Sequence, residues 1–361
     1  MRIGIFTTSF LPYHSRLGIS NAVYFLVKNL IKKYDCDIYV YSSDMKGLKN
    51  REEYRNLHIK RFPYESRYQF SPEMLNIHEI DNIDLIHSFH YGFFPAFAGL
   101  LAAKRTHKPH LFTTAYHPPI YTPFRSLISR MHDVLQGFWV LKYSDMVLPF
   151  NKDEKTHLEK YVNTNYNIIP CPVNSDVFFP YRKEQKKITI AYVGPMLPWK
   201  GAWIAFDIFR KIEKERNDVR FVFIGMGHLE DEIKRKSGNR FTFIKDIQPT
   251  ELAKQYNSID ILVSPTYYES FGCVLAEAGM CGTPVVSTRV GGIPETVGSG
   301  GLLVDYGDWK KMKEYIEMLI DDAKLRKKLG KNAIAHTKKF RDGIVSENIY
   351  RVYKRLLSNT I

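Results

Sequence analysis

The feature that most constrains this chain is a repeated alternation of short apolar segments with longer amphipathic ones. In both halves, apolar runs of strand length are followed by stretches whose apolar residues recur at helical spacing. Strands and helices that alternate in this way form parallel sheets with helices on both faces. The sequence therefore predicts an α/β fold with two doubly wound, Rossmann-like sheets that face each other across a cleft.

The predicted strands are recognisable as short, mostly apolar segments. In the first half they are RIGIFTTS, CDIYVYSS, IDLIHSF, HLFTTAY and DMVLPF, and in the second half ITIAYVG, VRFVFIG, FTFIK, DILVSPT, TPVVST and GLLVD. Helical patterns lie between them, and the chain is strongly helical from about Lys310 onward.

A proline-rich segment separates the two halves. Residues 168–187 contain Pro170, Pro172 and Pro180 and end in a run of charges, a composition typical of a linker. A chain of 361 residues is also longer than one core usually supports. We expect an N-terminal acceptor-binding domain over 1–178 and a C-terminal donor-binding domain over 179–337. A helix over about 338–361 is expected to pack back on the first domain.

Composition narrows the class and the compartment. Hydrophobic content of 44% and charged content of 25% are typical of globular proteins. The opening residues predict a strand and not a secretory signal, and the apolar run 91–103 is too short to span a bilayer. The four cysteines form no C-x-x-C pair, so we expect a cytoplasmic protein without disulfides.

The net charge of +14 suits a phosphate-bearing ligand, an anionic membrane or a nucleic acid. No nucleic-acid-binding module is recognisable, so no nucleic-acid partner is expected. His87 and His90 end a predicted strand without a third ligand nearby, and no metal site is predicted there.

Ligands of open parallel sheets bind at the carboxyl ends of the strands. In the second half, Gly194 ends one strand and Lys200 projects from the following loop, where a lysine suits a diphosphate. In the first half, Gly18 precedes an amphipathic helix, with Ser20 or Asn21 as its cap, and His117 follows a strand. An ordinary loop glycine, a solvated lysine and a satisfied loop histidine are the alternative interpretations.

The segment ESFGCVLAE holds the most informative pattern. Glu269 precedes a predicted helix that carries Glu277, with Ser270 as a plausible cap. Gly272 lets a ligand approach the backbone, and the first N–H groups of the helix suit a phosphate or a hydroxyl-rich ring. Glu277 stands in an apolar helix, where a pair of vicinal hydroxyls would offset its burial. A capping Glu269 with a salt-bridged Glu277 is the alternative.

These residues, followed by GGIPETV and GLLVDYGD, resemble glycosyltransferase family 4, the retaining nucleotide-sugar-dependent transferases of GT-B architecture. YVGPMLPWKG, FIGMGHLEDEI and IIPCPVNSDVF extend the resemblance over nearly the whole chain. It implies transfer of a hexose from a nucleotide-diphosphate sugar to a hydroxyl acceptor by front-face attack, without a metal or another cofactor.

The resemblance also implies roles for particular residues. Glu269 would contact the transferred sugar, Lys200 would neutralise the leaving diphosphate, and Glu277 would bind the ribose diol. His117 would lie near the sugar, and Gly18 would leave room at the N-terminal domain. The backbone of Phe271, Gly272, Cys273 and Val274 would hold the sugar and the diphosphate, and residues 245–247 would lie near the base.

Two positions depart from the family pattern. Pro195 stands where many members have an arginine, so one of two diphosphate cations is missing, and Arg289 is a candidate substitute by its strand-end position. PCPVN replaces the usual PNGVD in the linker.

The acceptor is less constrained. The amphipathic segment 123–142 and the basic, aromatic segment 49–70 suit a peripheral membrane site and a lipid or lipid-linked acceptor. A core-facing helix, a solvated loop and a soluble acceptor are the alternatives. A nucleotide-sugar epimerase and a non-catalytic nucleotide-sugar-binding protein are the alternative functions.

Overall fold

The computed structural model describes residues 1–11, 18–45, 47–65, 68–117, 137–181 and 187–358. Two compact units make up the chain. The first is Met1–Pro172 together with Asp342–Ile361, and the second is Val173–Arg341. Each is built on a largely parallel sheet, so the predicted α/β class with two Rossmann-like domains is confirmed.

The first unit contains a seven-stranded sheet in the order β3-β4-β2-β1-β5-β6-β7. Its strands are β1 (Arg2–Thr7), β2 (Asp37–Ser43), β3 (Arg51–Tyr54), β4 (Leu57–Phe62), β5 (Leu85–Phe89), β6 (His110–Thr113) and β7 (Met146–Leu148). Its helices are α1 (Gly18–Tyr34), α2 (Phe94–Thr106), α3 (Phe138–Tyr143), α4 (Lys152–Glu159) and, from the end of the chain, α12 (Asp342–Ser358).

The strands predicted from apolar runs form the centre of this sheet and one of its sides. β1, β5, β6 and β7 pair in parallel, with Ile5 opposite His87 and Phe89 opposite Thr113, so their carboxyl ends lie along one edge. The C-terminal helix α12 packs on α1 and seals this core with Val345 and Tyr353.

Segment 49–70 differs from its predicted form as a basic, aromatic loop. It contains an antiparallel hairpin, β3 and β4, which adds to β2 at the sheet edge. Arg51, Lys60 and Arg61 each pair with a glutamate, so these cations do not form an unneutralised patch. Segment 123–142 lies mostly outside the described residues, except for its end in α3. None of the helices described is both long and apolar enough to cross a bilayer.

The second unit contains a six-stranded sheet in the order β10-β9-β8-β11-β12-β13. The strands are β8 (Ile188–Val193), β9 (Val219–Ile224), β10 (Phe241–Ile244), β11 (Ile261–Ser264), β12 (Val285–Thr288) and β13 (Gly301–Val304). The helices are α5 (Ala202–Glu215), α6 (Glu230–Lys236), α7 (Pro249–Ser258), α8 (Cys273–Met280), α9 (Ile293–Val297), α10 (Trp309–Asp321) and α11 (Ala323–Thr337).

The two units meet in sequence at Pro172, before the expected boundary near residue 178. The N–H of Val173 donates to the carbonyl of Phe340 at 2.8 Å, and Phe178 packs its ring against Tyr256. These contacts attach the part of the expected linker that follows Pro172 to the second unit.

Candidate active site

The two loops that hold Lys200 and Glu269 follow neighbouring strands. β8 and β11 are paired in parallel, with Ile190 opposite Ile261, so the loops after them leave the same edge of the sheet side by side. Loops at this edge of an open parallel sheet form the usual ligand site. The sheet topology therefore explains why two residues far apart in the sequence meet.

Lys200 and Glu269 form an ion pair, with Nζ and Oε1 2.6 Å apart. The two side chains are 21% and 22% exposed, so both reach solvent at the sheet edge while part of each is covered. A pair in this position can be shared with an incoming ligand, because the lysine has three donors and the carboxylate two oxygens.

The loop that carries Lys200 is fixed at both ends. Tyr192 donates its hydroxyl to the carbonyl of Pro195 at 2.7 Å, and Tyr267 donates its N–H to the carbonyl of Trp199 at 2.9 Å. Gly201 has a φ of 75°, and a Cβ there would lie 2.1 Å from the carbonyl oxygen of Pro265. Only glycine lets the loop pack this closely on the end of β11.

Helix α8 begins at Cys273, and Gly272 occupies the N-cap position with a φ of 80°. The predicted Ser270 cap is wrong, because the left-handed backbone at Gly272 turns the chain into the helix without a side-chain cap. Cys273 and Val274 are half-buried in the first turn, at the end of the helix toward which its backbone N–H groups point. Phe271 is buried edge-on against Phe340.

A glycine pair, to which the sequence analysis gave no role of its own, supports the Glu269 backbone. Gly292 donates its N–H to the carbonyl of Glu269 at 2.9 Å, and a Cβ on Gly291 would lie 2.2 Å from the same oxygen. Thr296 donates its hydroxyl to the carbonyl of Phe271 at 2.5 Å. The GGIPET segment is therefore a backbone support for residues 269–271, and its double glycine is the signal that marks it.

Glu277 faces helix α7, and the hydroxyl of Tyr256 donates to its Oε2 at 3.1 Å. Desolvation raises the pKa of Glu277 to about 7, and the tyrosine hydrogen bond acts in the opposite direction. No cation lies within salt-bridge distance of Glu277 in the described part of the chain, so the salt-bridge alternative lacks a partner there. Its Tyr256 partner has no signal in the local sequence.

Gly194, directly after β8, has a φ of 141°, and a Cβ there would meet, among the described residues, only the Tyr192 hydroxyl, at 3.8 Å. Its N–H donates to the carbonyl of Ile224 at 2.9 Å, which extends the pairing of β8 with β9. Arg289 at the end of β12 is engaged elsewhere: its Nε lies 3.6 Å from Asp305 Oδ1, and it donates to the carbonyl of Leu303. Pro195 supplies no cation.

In the first unit, the matching sheet edge presents hydroxyl and imidazole groups. His117 is exposed after β6, and its Nδ1 lies 3.3 Å from the carbonyl oxygen of Ala115. His90 follows β5 with Nδ1 3.1 Å from the hydroxyl of Thr8, which follows β1. Gly18 is the first residue of α1, so Ser20 and Asn21 lie inside the helix and do not cap it. The role expected of Gly18 stays a prediction, because residues 12–17 lie outside the described part.

Sequence reasoning treated His90 only as half of a metal pair. The two histidines differ in the structure: His87 is fully buried between Tyr353 and Thr113, whereas His90 is partly exposed. Desolvation, aided by His117, lowers the pKa of His90 to about 3 and keeps its ring neutral. The φ of His90 is 79°, a strained backbone of the kind that clusters at functional sites.

Glu154 is a second residue that the sequence did not reveal. It is fully buried, and its carboxylate accepts hydrogen bonds from the Thr114 hydroxyl and from the Tyr116 and Phe150 N–H groups. Desolvation raises its pKa to about 7, and those three hydrogen bonds act in the other direction. A buried carboxylate therefore stands directly behind the segment that ends in His117.

Two family models match adjoining parts of the chain. The model described as Glycosyltransferase Family 4 matches residues 17–177, and the model described as Glycosyl transferases group 1 matches residues 174–336. An uncharacterised glycosyltransferase of Methanocaldococcus jannaschii is 27% identical over 91% of this chain and 93% of its own length. A D-inositol 3-phosphate glycosyltransferase of Corynebacterium diphtheriae is 33% identical over 45% of this chain and 42% of its own length.

Solved structures share the fold over the whole chain. Sucrose-phosphate synthase of Thermosynechococcus elongatus matches with a TM-score of 0.82 and 20% identity, covering 99% of both chains. HepE of Anabaena, solved in complex with UDP-glucose, matches with a TM-score of 0.75 and 16% identity, covering 98% and 100%. Fold and family models together define a glycosyltransferase with the paired Rossmann-like domains of the GT-B class. Within that class, the chain belongs to glycosyltransferase family 4.

Proposed function

We propose that this protein transfers a hexose from a nucleotide-diphosphate sugar to a hydroxyl acceptor, with retention of the anomeric configuration. The observation that carries the proposal is the Lys200–Glu269 ion pair beside the glycine-initiated helix α8. A cation, a carboxylate and helix N–H groups lie together at one sheet edge. These are the groups that would bind the phosphates and the hydroxyls of a sugar diphosphate.

Departure of the diphosphate develops negative charge on its oxygens and positive charge on the sugar ring. Lys200 would stabilise the first, together with the N–H groups of Cys273 and Val274 at the positive end of α8. Glu269 would face the second and accept a hydrogen bond from a sugar hydroxyl. Because the leaving group is already a good one, positioning and charge stabilisation supply most of the catalysis.

Glu277 would bind the nucleotide end of the donor. A carboxylate that already accepts one hydroxyl from Tyr256 has capacity for two more, as a ribose diol offers. Gly194 would let the backbone at the end of β8 approach the donor, since it has no side chain to stand between them. In the first unit, His117 would hydrogen-bond a hydroxyl of the transferred sugar through Nε2.

The test is a donor screen with the purified protein. UDP-, GDP- and ADP-sugars are incubated with candidate acceptors, first UDP-glucose because HepE was solved with it, in EDTA and in Mg²⁺ in parallel. We expect one donor to be consumed only with acceptor, equal turnover in both media, and an NMR coupling that shows retention. Conversion of the donor without any acceptor would instead indicate an epimerase, and binding without turnover a non-catalytic protein.

The acceptor is proposed to be a lipid or a lipid-linked glycan at the cytoplasmic membrane face. The net charge of +14 supports this through attraction to anionic lipids, although the paired cations of β3 and β4 contribute little. We expect salt-sensitive flotation with vesicles that contain an anionic phospholipid and none with zwitterionic vesicles. Equal flotation with both, or with neither, would contradict it and favour a soluble acceptor.

A further inference from the structure

The segment that presents His117 contains an unusual backbone. Ala115 has a φ of 46°, in the left-handed region that alanine occupies at an energetic cost. Residues in such conformations persist only where the surroundings hold them there. Ala115, Thr114 and Tyr116 are all buried, so the restraint has to come from inside the first unit.

Glu154 in α4 supplies that restraint. Its Oε1 accepts the hydroxyl of Thr114 and the N–H of Tyr116, each at 2.5 Å, so one oxygen bridges the two residues on either side of Ala115. Its Oε2 accepts the N–H of Phe150 at 2.7 Å, which joins the same carboxylate to the segment after β7. The first turn of α4 is itself fixed, because Asn151 Oδ1 accepts the N–H of Glu154 at 2.9 Å.

The turn at Ala115 in turn acts on His117. The carbonyl oxygen of Ala115 lies 3.3 Å from His117 Nδ1, and a carbonyl can only accept. This contact therefore requires a proton on Nδ1, and in the neutral ring the lone pair lies on Nε2.

We propose that Glu154 is a positioning residue: by bridging Thr114 and Tyr116, its carboxylate holds Ala115 in the left-handed conformation and thereby fixes the orientation and tautomer of His117. Any effect on sugar transfer rests on the role proposed for His117, whereas the effect on its tautomer does not.

Glutamine at position 154 isolates this action. The amide has one oxygen and one NH₂ group, whereas the carboxylate offers acceptors to N–H groups on both of its oxygens. In either amide orientation an NH₂ group faces the N–H of Tyr116 or of Phe150. Glu154→Gln therefore keeps the side-chain volume but loses either the hydrogen bond from Tyr116 or the one from Phe150. Leu158→Ala is the matched control, because Leu158 is fully buried in the same helix but makes no contact of this kind.

The experiment reads the His117 ring directly. Two-bond ¹H–¹⁵N spectra of histidine-labelled protein are recorded at a pH of about 8.5, where an ordinary imidazole is neutral. The His117 signals are identified by their loss in His117→Gln. We expect the Nδ1–H tautomer in the wild type and in Leu158→Ala, and a shift toward Nε2–H in Glu154→Gln. Thr114→Val, which removes one half of the bridge, should shift it in the same direction.

The outcomes separate the two proposals. An unchanged tautomer in Glu154→Gln, or an equal change in Leu158→Ala at a similar loss of Tm, would overturn the positioning role. If Glu154→Gln does not fold, Thr114→Val decides by the same spectrum. Turnover provides a second readout. Glu154→Gln should lower kcat about tenfold, and adding Glu154→Gln to His117→Gln should lower kcat no further than His117→Gln alone. Full activity of His117→Gln would remove the catalytic role of His117 and leave the tautomer result intact.

Discussion

The carboxyl ends of the two sheets are built from different chemistry. In the second unit the edge holds a partly exposed ion pair, Lys200 with Glu269, beside the positive end of α8. In the first unit the ends of β1, β5 and β6 hold hydroxyl and imidazole groups, Thr8, His90 and His117. A carboxylate, Glu154, is buried behind the segment that carries His117.

This difference fits separate roles for the two edges, one in binding the charged donor and the other in binding neutral sugar hydroxyls. Charge that develops on a leaving diphosphate is best met by fixed charges, whereas neutral sugar hydroxyls are best met by neutral donors and acceptors. Desolvation keeps His90 neutral, and the carboxylate of Glu154 is directed at backbone N–H groups and at a hydroxyl. Substitutions at the charged edge should therefore cost most of the rate.

The strongest expected effect is at the ion pair itself. Lys200→Ala and Glu269→Ala should each lower kcat by about 10²–10³, because each removes a charge that stabilises the transition state. Since the two side chains touch, the double variant should lose much less than the product of the single losses. Turnover with the identified donor measures both effects.

A second ion pair in the same unit is the control. Lys234 and Glu230 also lie 2.6 Å apart, on the surface of α6. Lys234→Ala should change turnover less than about twofold, as expected for an i,i+4 pair within one helix. Wild-type turnover in Glu269→Ala would show that the charged edge is not the catalytic one.

The next largest effect concerns pH. The pKa of Glu277 lies at about 7, and the ionised carboxylate accepts two ribose hydroxyls more strongly than the protonated group does. Donor affinity should therefore rise by up to about tenfold from pH 6 to pH 8. Glu277→Gln should flatten that rise, and calorimetric titration with the nucleoside diphosphate measures it. His90→Gln should leave the shape unchanged, because the pKa of His90 at about 3 keeps it neutral throughout.

Glu154 titrates in the same range, so the difference between wild type and Glu277→Gln is the quantity to compare. The sign for stability is opposite to that for binding. A carboxyl whose pKa is raised on folding favours the folded state at low pH, and this contribution is lost as pH rises from about 4.5 to about 7. Thermal unfolding of Glu277→Gln should therefore depend less on pH across that range. A steeper dependence would show that Glu277 is ionised in the folded protein well below pH 7.

A smaller effect tests the glycine at the start of α8. Gly272→Ala and Gly307→Ala both force alanine into a left-handed backbone, at φ of 80° and 102°, and each should lower the free energy of unfolding by about 1 kcal/mol. Only Gly272→Ala should also raise the KM for the donor several-fold. Equal donor KM values in the two variants would mean that the ligand does not approach the backbone there.

The central strands of both sheets could be predicted from the sequence because a strand buried on both faces is a continuous apolar run, which is visible without knowledge of its neighbours. Strands β3 and β4 were not predicted, because an edge hairpin exposes charged side chains, as in Arg51–Tyr54, and such a composition is typical of a loop. The motif residues at positions 200, 269, 272 and 277 could be selected because glycines and carboxylates in apolar helices are locally conspicuous. Tyr256 and Glu154 could not, because their partners lie 21 and 40 residues away, and only the fold brings them together.

The smallest expected effect is at Arg289. It tests whether a second cation binds the diphosphate in place of the arginine that many family members have at the position of Pro195. Its guanidinium is exposed and already lies near Asp305 and the carbonyl of Leu303, so Arg289→Ala should change donor KM and kcat by less than about threefold. Lys200 would then be the main diphosphate cation, helped by the N–H groups of α8. A loss of a hundredfold would instead make Arg289 the second cation, released from Asp305 when the donor binds. Asp305→Asn separates these cases, since freeing such an arginine should tighten donor binding, whereas a purely structural pair should leave it unchanged.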